Sequence, residues 1–289
     1  MKILLQGINF SPEPVGIGKY TGEMVDYFVE HGHHVTVVTA KPYYPAWKIW
    51  EGYPGWRYQK HTSGNLTVIR CPLWVPKKVS GMSRIMHLLS FAVAALPVML
   101  LQALRKPDVI LSIAPAILSA PNALLAGFIS NTPTWLHLQD FEVDAAFKLG
   151  VVKANKWIAG FASKVERFVL SGFDRVSTIS PAMVRRLSEK GIEEERRVLF
   201  PNWVNTNSVI PLAESPFRKE LGLTSKDIVV LYSGSMGVKQ GLEVLIEAAK
   251  QLKDEKHIKF VVCGEGPAKK MLQTSLANLE HITFLSLQP

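Results

Sequence analysis

Three carboxylates follow one short apolar run in "WLHLQDFEVDAA", residues 135–146. His137 and Gln139 alternate onto one face of that run, and Asp140, Glu142 and Asp144 come at its C-terminal end. In open α/β sheets, ligands bind outside the carboxyl ends of the strands. A carboxylate there can accept a hydroxyl or face developing positive charge. One of the three is expected to cap the next helix, and Asp140 is the catalytic candidate.

A second group of turns could hold an anion. In "GINFSPEPVGIGKYTGEM" (7–24), Gly16 and Gly18 sit where a strand hands over to a helix. Glycine lets the backbone approach a ligand closely, and a helix N-terminus favours negative charge. The dinucleotide pattern G-x-G-x-x-G is not met, because Thr21 stands in the third glycine's place and Gly22 comes one residue late. In "LYSGSMGVKQGLEVLIEAA" (231–249), Gly234 and Ser235 end a strand and a helix is expected from about Lys239. Backbone N–H groups with the Lys239 ammonium would make a diphosphate site. In "VVCGEGP" (261–267), Gly264, Glu265 and Gly266 form a turn that could wall a nucleobase, with Pro267 near the first helical position. Each turn is equally readable as a tight connection that needs glycine.

These turns need strands and helices to hold them. Apolar β-type runs occur at 2–8, 34–39, 66–70, 108–114, 134–139 and 175–180, with helical periodicity at 18–31, 82–105, 154–171 and 181–190. Continuous apolar strands between helices argue a parallel sheet covered on both faces. The polar, proline-bearing "VNTNSVIPLAESPF" is a plausible junction. After it a second series begins, with strands expected at 228–233, 258–263 and 282–285. The fold class is α/β, with a domain over 1–205 and a second, partial one over 206–289. The pattern stops at Pro289 in mid-series, so the chain reads as C-terminally truncated.

Composition bounds the chemistry. Of 289 residues, 47% are apolar and 20% charged, which is ordinary for a folded α/β chain. The two cysteines, Cys71 and Cys263, supply neither a disulfide framework nor metal-ligand spacing, so no metal is expected. The net charge of +9 is uneven. Residues 1–106 hold twelve Lys and Arg against five Asp and Glu, whereas 107–289 hold twenty-one against nineteen. The first third therefore faces something anionic. No nucleic-acid motif accompanies the charge, so an anionic membrane surface or a lipid diphosphate is the expected partner, and no nucleic acid. No export signal opens the chain.

Two segments depart from plain alternation. Residues 41–58, "KPYYPAWKIWEGYPGWRY", place seven aromatics among three prolines. The segment reads either as an acceptor or membrane-contact loop or as an aromatic-packed surface loop. The run "IMHLLSFAVAALPVMLLQAL" (85–104) has the length of a membrane span. However, His87, Ser90, Pro97 and Gln102 interrupt it and β/α units flank it. It reads as a helix on the bilayer surface, ringed by Lys77, Lys78, Arg84, Arg105 and Lys106, or as a core helix.

The ordered motifs "GIGKYTGEM", "HGHHVTVVT", "LHLQD", "VSTISPAM", "LFPNWV", "LYSGSMGVKQGLEVLIEAA" and "VVCGEGP" resemble family-4 glycosyltransferases of the GT-B fold along nearly the whole chain. The resemblance implies a complete N-terminal Rossmann-like domain for the acceptor and the first part of a second for the nucleotide-sugar. Transfer would be retaining and metal-free, with no cofactor beyond the nucleotide-sugar, GDP-fucose being one candidate. The acceptor would be a lipid-linked saccharide in exopolysaccharide synthesis of the colanic-acid type. The protein would sit at the inner face of the cytoplasmic membrane. Gly16 and Gly18 would lie near the donor phosphates, with Gly234, Ser235, Lys239, Gly264 and Glu265 on the donor side. Asp140 matches the aspartate of the family's His-Asp pair, but Gln139 takes the histidine's place and His137 lies two residues earlier. His137, Gln139 and Lys19 are then acceptor-side or supporting residues. Ser235 replaces a frequent arginine, leaving Lys239 as the main charged diphosphate contact. The truncation implies weak or absent activity. A non-catalytic remnant that binds anionic lipid or acceptor is the alternative, and a nicotinamide-dependent oxidoreductase is disfavoured by the broken glycine pattern.

Overall fold

The structure is a computed structural model describing residues 1–14, 16–53, 55–114, 117–141, 156–206, 210–237, 240–286 and 288. It divides into two compact units, Met1–Val204 and Asn205–Pro289.

The first unit is an eight-stranded sheet in the order β3-β4-β2-β1-β5-β6-β7-β8 among the described residues. Its strands are β1 (Lys2–Gly7), β2 (His34–Ala40), β3 (Gln59–Ser63), β4 (Leu66–Cys71), β5 (Val109–Ala114), β6 (Thr134–Leu138), β7 (Arg175–Thr178) and β8 (Arg197–Leu199). All neighbours pair in parallel except β3, an antiparallel edge strand with an exposed, polar pattern. Register is set by continuous apolar runs: Leu5 lies between Val37 on β2 and Leu111 on β5. These residues are buried because helices cover both faces. The chain leaves β1 toward β2 on one side and resumes at β5 on the other. The C-terminal ends of β1 and β5 therefore form the switch point where such sheets bind ligands.

The helices are α1 (Ile17–Glu30), α2 (Gly81–Ala103), α3 (Ala120–Ser130), α4 (Lys156–Ser171) and α5 (Pro181–Glu189). Sequence periodicity did not reveal α3. Its face is almost uniformly apolar around Pro121, so no stripe stands out. The hairpin strand β3 was also hidden, because "QKHTS" carries no apolar alternation. Ser80 and Ser83 start α2 with reciprocal side-chain-to-backbone bonds of 3.3 and 2.8 Å. One face of α2 enters the core through Phe91, Ala95 and Met99. The other leaves Met82, Met86, Leu89, Val93, Leu101 and Leu104 exposed. The helix is long and apolar enough to cross a bilayer by length and composition. One face of it is also a wall of this core, as the core-helix reading expects.

In the second unit, β9 (Ile228–Ser233), β10 (Ile258–Cys263) and β11 (Ile282–Leu285) form a parallel sheet in the order β11-β10-β9. The helices α6 (Pro216–Glu220), α7 (Glu243–Gln251) and α8 (Lys269–Ser275) accompany it. Its core gathers Met236, Ile246, Phe260, Val262 and Leu272. The expected helix start near Lys239 is observed at Glu243, after Gly241 with φ of 62°. Lys239 itself lies outside the described residues, as do Glu142 and Asp144.

Candidate functional site

The C-terminal edge of the first sheet collects the acceptor-side candidates. Gln139 follows β6 directly, and its Nε2 stands 2.9 Å from His137 Nε2 while donating to Asn202 Oδ1 at 2.9 Å. Asn202 Nδ2 returns a bond to Gln139 Oε1 at 3.0 Å. An amide nitrogen has no lone pair to accept with, so in this arrangement His137 Nε2 is the acceptor and its ring proton sits on Nδ1. That atom lies 2.8 Å from Ser177 Oγ, which also receives Trp135 Nε1–H at 2.8 Å. Burial pulls the His137 pKa down to about 4, because a charged imidazolium would lose its water. His137 is thus a neutral, fully engaged ring, and Gln139 spends both amide groups on protein partners. Both brace the turn that carries Asp140, which is partly buried.

The bracing continues into α1. Phe200 packs edge-on against His137 at 5.2 Å between centroids, and Trp203 lies 5.9 Å from Phe200. Trp203 Nε1 donates to Glu23 Oε2 at 2.8 Å, and Tyr20 meets the indole edge-on at 5.6 Å. Lys19, half-exposed, is 3.9 Å from Glu23, a surface contact of little energetic weight. Lys19, His137 and Gln139 therefore belong to one chain of contacts. Among its other members, Asn202, Trp203 and Ser177 were not singled out from sequence. The "PNW" motif was visible there, but nothing in it indicated what its amide would pair with.

Gly16 and Gly18 open α1 at the switch point. Gly16 caps the helix with φ of 64°, and no side chain caps it. The first N–H groups of α1 have no intrahelical acceptor, which suits an anion. Gly18 has a further structural cause: a Cβ there would stand 2.8 Å from Glu13 Cβ and 3.0 Å from Glu13 Oε2. Glu13, only 2% exposed, accepts from Tyr43 N and Tyr44 N at 2.9 Å each and from Asn9 Nδ2 at 2.8 Å. Burial raises its pKa, while those bonds and nearby Arg70 oppose the rise. Glu13 thus joins the turn after β1 to the turn after β2.

In the second unit the two glycine turns pack backbone to backbone. Gly234 N donates to Cys263 O at 3.0 Å, Met236 N to Glu265 O at 2.9 Å, and Ala268 N to Met236 O at 2.9 Å. A Cβ on Gly264 would overlap the Gly234 carbonyl oxygen, and one on Gly266 the Met236 carbonyl. Close turn-to-turn packing alone therefore demands these glycines. Ser235 offers its carbonyl to Tyr232 Oη at 2.7 Å, and Glu265 pairs with Lys269 at 2.6 Å. Among the described residues no cluster of three or more His, Cys, Asp or Glu could hold a metal ion.

Comparison with known proteins places this arrangement. Residues 15–203 match the family described as Glycosyl transferase 4-like domain, and residues 214–288 match Glycosyl transferases group 1. The chain is 43% identical over 295 aligned residues to the colanic acid biosynthesis glycosyl transferase WcaI of Escherichia coli (strain K12), covering 100% of this chain and 72% of that protein. Among solved structures it is similar to a sucrose-phosphate synthase of Thermosynechococcus elongatus (TM-score 0.71, 18% identity, 99% of this chain, 70% of the other). It is also similar to HepE of Anabaena, solved with UDP and glucose (TM-score 0.61, 16% identity, 100% of this chain, 70% of the other). The chain belongs to the glycosyl transferase 4-like family and is a glycosyltransferase of the GT-B fold.

Proposed function

We propose that the chain transfers a sugar from a nucleotide-sugar, with retention of configuration, to a lipid-linked saccharide at the cytoplasmic membrane surface during assembly of a colanic-acid-type exopolysaccharide. The observation that carries this reading is the 43% identity to WcaI along the whole of this chain. The site geometry supports it: Asp140 emerges from β6 on a turn braced by the Gln139–Asn202 pair, at the same sheet edge as the α1 N-terminus. In this reading the turns at Gly234–Ser235 and Gly264–Glu265 of the second unit receive donor phosphates and base, and Lys239 adds its charge; in the first unit, taken by itself, Gly16 and Gly18 offer the α1 N-terminus to an anion. Asp140 holds an acceptor or donor hydroxyl, or faces the positive charge that develops as the glycosidic bond breaks. GDP-fucose remains a candidate donor, and the UDP bound by HepE makes UDP-sugars the competing class.

The outer faces of α2, α3 and α4 support the membrane-contact part of this reading. Besides the α2 stripe, Phe128 is 86% exposed on α3 and Phe168 79% exposed on α4. Within the described part of these helices the acidic residue Glu166 is buried in a pair with Lys190. The exposed charges are cationic, as an anionic bilayer surface requires.

The test is transfer of labelled sugar from GDP-fucose and a panel of UDP-sugars to lipid extracts containing lipid-linked saccharides. Label should appear in the lipid fraction, and Asp140→Asn should lower kcat about 100-fold or more while donor affinity stays near wild type. No transfer from any donor, or an unaltered kcat in Asp140→Asn, would overturn the corresponding part of the reading.

A further inference from the structure

The described residues of the 41–58 segment include an aromatic-rich stretch. It forms one wall of an open groove of about 640 Å³, a volume typical of small-molecule sites. Four indoles line it: Trp47, Trp50 and Trp56 from this segment, and Trp74 from the stretch between β4 and α2. Lys48 and Lys77 flank them, and Glu51 is the one acidic lining residue.

Both walls are anchored by buried polar groups. Lys41, 1% exposed, reaches Gly55 O with its Nζ and holds the lip that carries Trp56. Glu13 grips the backbone at Tyr43 and Tyr44. His87 of α2 donates to Trp74 O at 2.7 Å, and Trp74 N donates to Ser90 Oγ at 3.1 Å. The His87 ring also packs on Tyr43 (4.6 Å) and Trp47 (5.2 Å), joining the two walls beneath the groove. With Nδ1 used as donor, His87 Nε2 is a bare acceptor, buried and without a partner in the structure. Burial lowers the pKa of this ring, so the floor stays uncharged. Despite this rigid base, Trp56 remains 69% exposed and Trp74 38% exposed. Holding indoles in water on a preformed frame is costly unless something covers them.

We propose that this groove binds the proximal tail and phosphate head of an amphipathic lipid phosphate, and, on the proposed acceptor reading, that this lipid is the anchor of the acceptor. The lining is mainly apolar, the four indoles with Ile49, Leu73, Val75 and Pro76, so most sugar hydroxyls laid there would lose water without gaining partners. A hydrocarbon tail has no such loss, and Lys48 and Lys77 complement a phosphate ester at its end. The position also fits. Trp74 of the groove is tied to His87 and Ser90 of α2, the helix whose outer stripe begins at Met82 and Met86.

The test is titration of the full chain with geranylgeranyl diphosphate, followed by indole fluorescence, alongside geranylgeraniol, inorganic diphosphate and a soluble oligosaccharide. The lipid diphosphate should change the indole fluorescence, and inorganic diphosphate and the oligosaccharide should not. Trp56→Ser with Trp74→Ser should weaken binding about tenfold or more, while Trp56→Phe retains it. Lys48→Gln with Lys77→Gln should weaken the diphosphate about tenfold and leave the alcohol unchanged. Undiminished binding in the tryptophan pair, or preferential binding of the oligosaccharide, would overturn the proposal. Transfer assays separate it from the acceptor reading. Lipid binding with transfer only to soluble acceptors would refute that reading and leave the site standing. Wild-type transfer to lipid-linked acceptor by the tryptophan pair would refute the site alone.

Discussion

At residue scale, His137 shows how burial converts a reactive side chain into a strut. The ring is 2% exposed, donates to Ser177 and accepts from Gln139. Its pKa lies near 4 in the folded chain against 6.5 for an ordinary histidine. An unfolded chain therefore takes up a proton below pH 6.5 that the folded chain refuses until about pH 4. The contribution of His137 is fully present above pH 6.5 and fades as the pH falls. Over that window it should remove about 3 kcal/mol of stability. Denaturant titrations at pH 7.5 and pH 4.5 should show this loss in wild type and a smaller one in His137→Gln. Equal losses in both would show that the ring is not held neutral. Buried His87, whose pKa burial also lowers, adds to the acid sensitivity of both proteins alike.

At element scale, the decisive connection runs from β6 across residues 200–203 to α1. The Gln139–Asn202 pair closes one end and the Trp203–Glu23 bond the other. Removing the Asn202 side chain leaves the half-buried Gln139 amide without its reciprocal partner, at a cost of about 1–3 kcal/mol. Asn202→Ala should lower the melting temperature accordingly. Asn202→Asp keeps an acceptor for Gln139 Nε2 but loses the returned bond, so it should lie between. If Asn202→Ala melts with wild type, the pair is not a support. Because the same pair braces the Asp140 turn, kcat should fall along the same order, Asn202→Asp less than Asn202→Ala.

At the scale of the whole molecule, charge is unevenly distributed along the chain, and most of the excess lies in residues 1–106. Lys77, Lys78, Arg84, Arg105 and Lys106 surround a helix whose outward face is apolar. If this surface meets an anionic bilayer, each cation near it contributes about 1 kcal/mol and the attraction falls within a Debye length. The protein should co-sediment with phosphatidylserine-containing vesicles and be released by added salt. Replacing all five cations with glutamine should reduce binding by at least about a hundredfold. Unchanged sedimentation of that variant would remove the electrostatic part of the membrane reading.

The alternation of apolar runs and helical periods was determined locally, and it could be read from the sequence. Leu4, Leu5, Val37, Ile110 and Leu136 are β-forming apolar residues in short runs. Such runs can be satisfied only inside a parallel sheet. The positions of Gly16, Gly18, Gly234 and Gly264 at strand-to-helix turns were legible for the same reason. What each glycine accommodates was not legible. Gly18 yields to Glu13, which is close in sequence but held by Tyr43 and Tyr44 from the next turn. Gly264 yields to a carbonyl thirty residues earlier. The partner of Gln139 lies 63 residues away, and the walls of the tryptophan groove come from two loops that both meet His87. Local pattern sets which elements form, because propensity and periodicity act over a few residues. Hydrogen-bond partners, burial and the pKa values they impose depend on which chain segments folding brings together, and these only the tertiary structure decided.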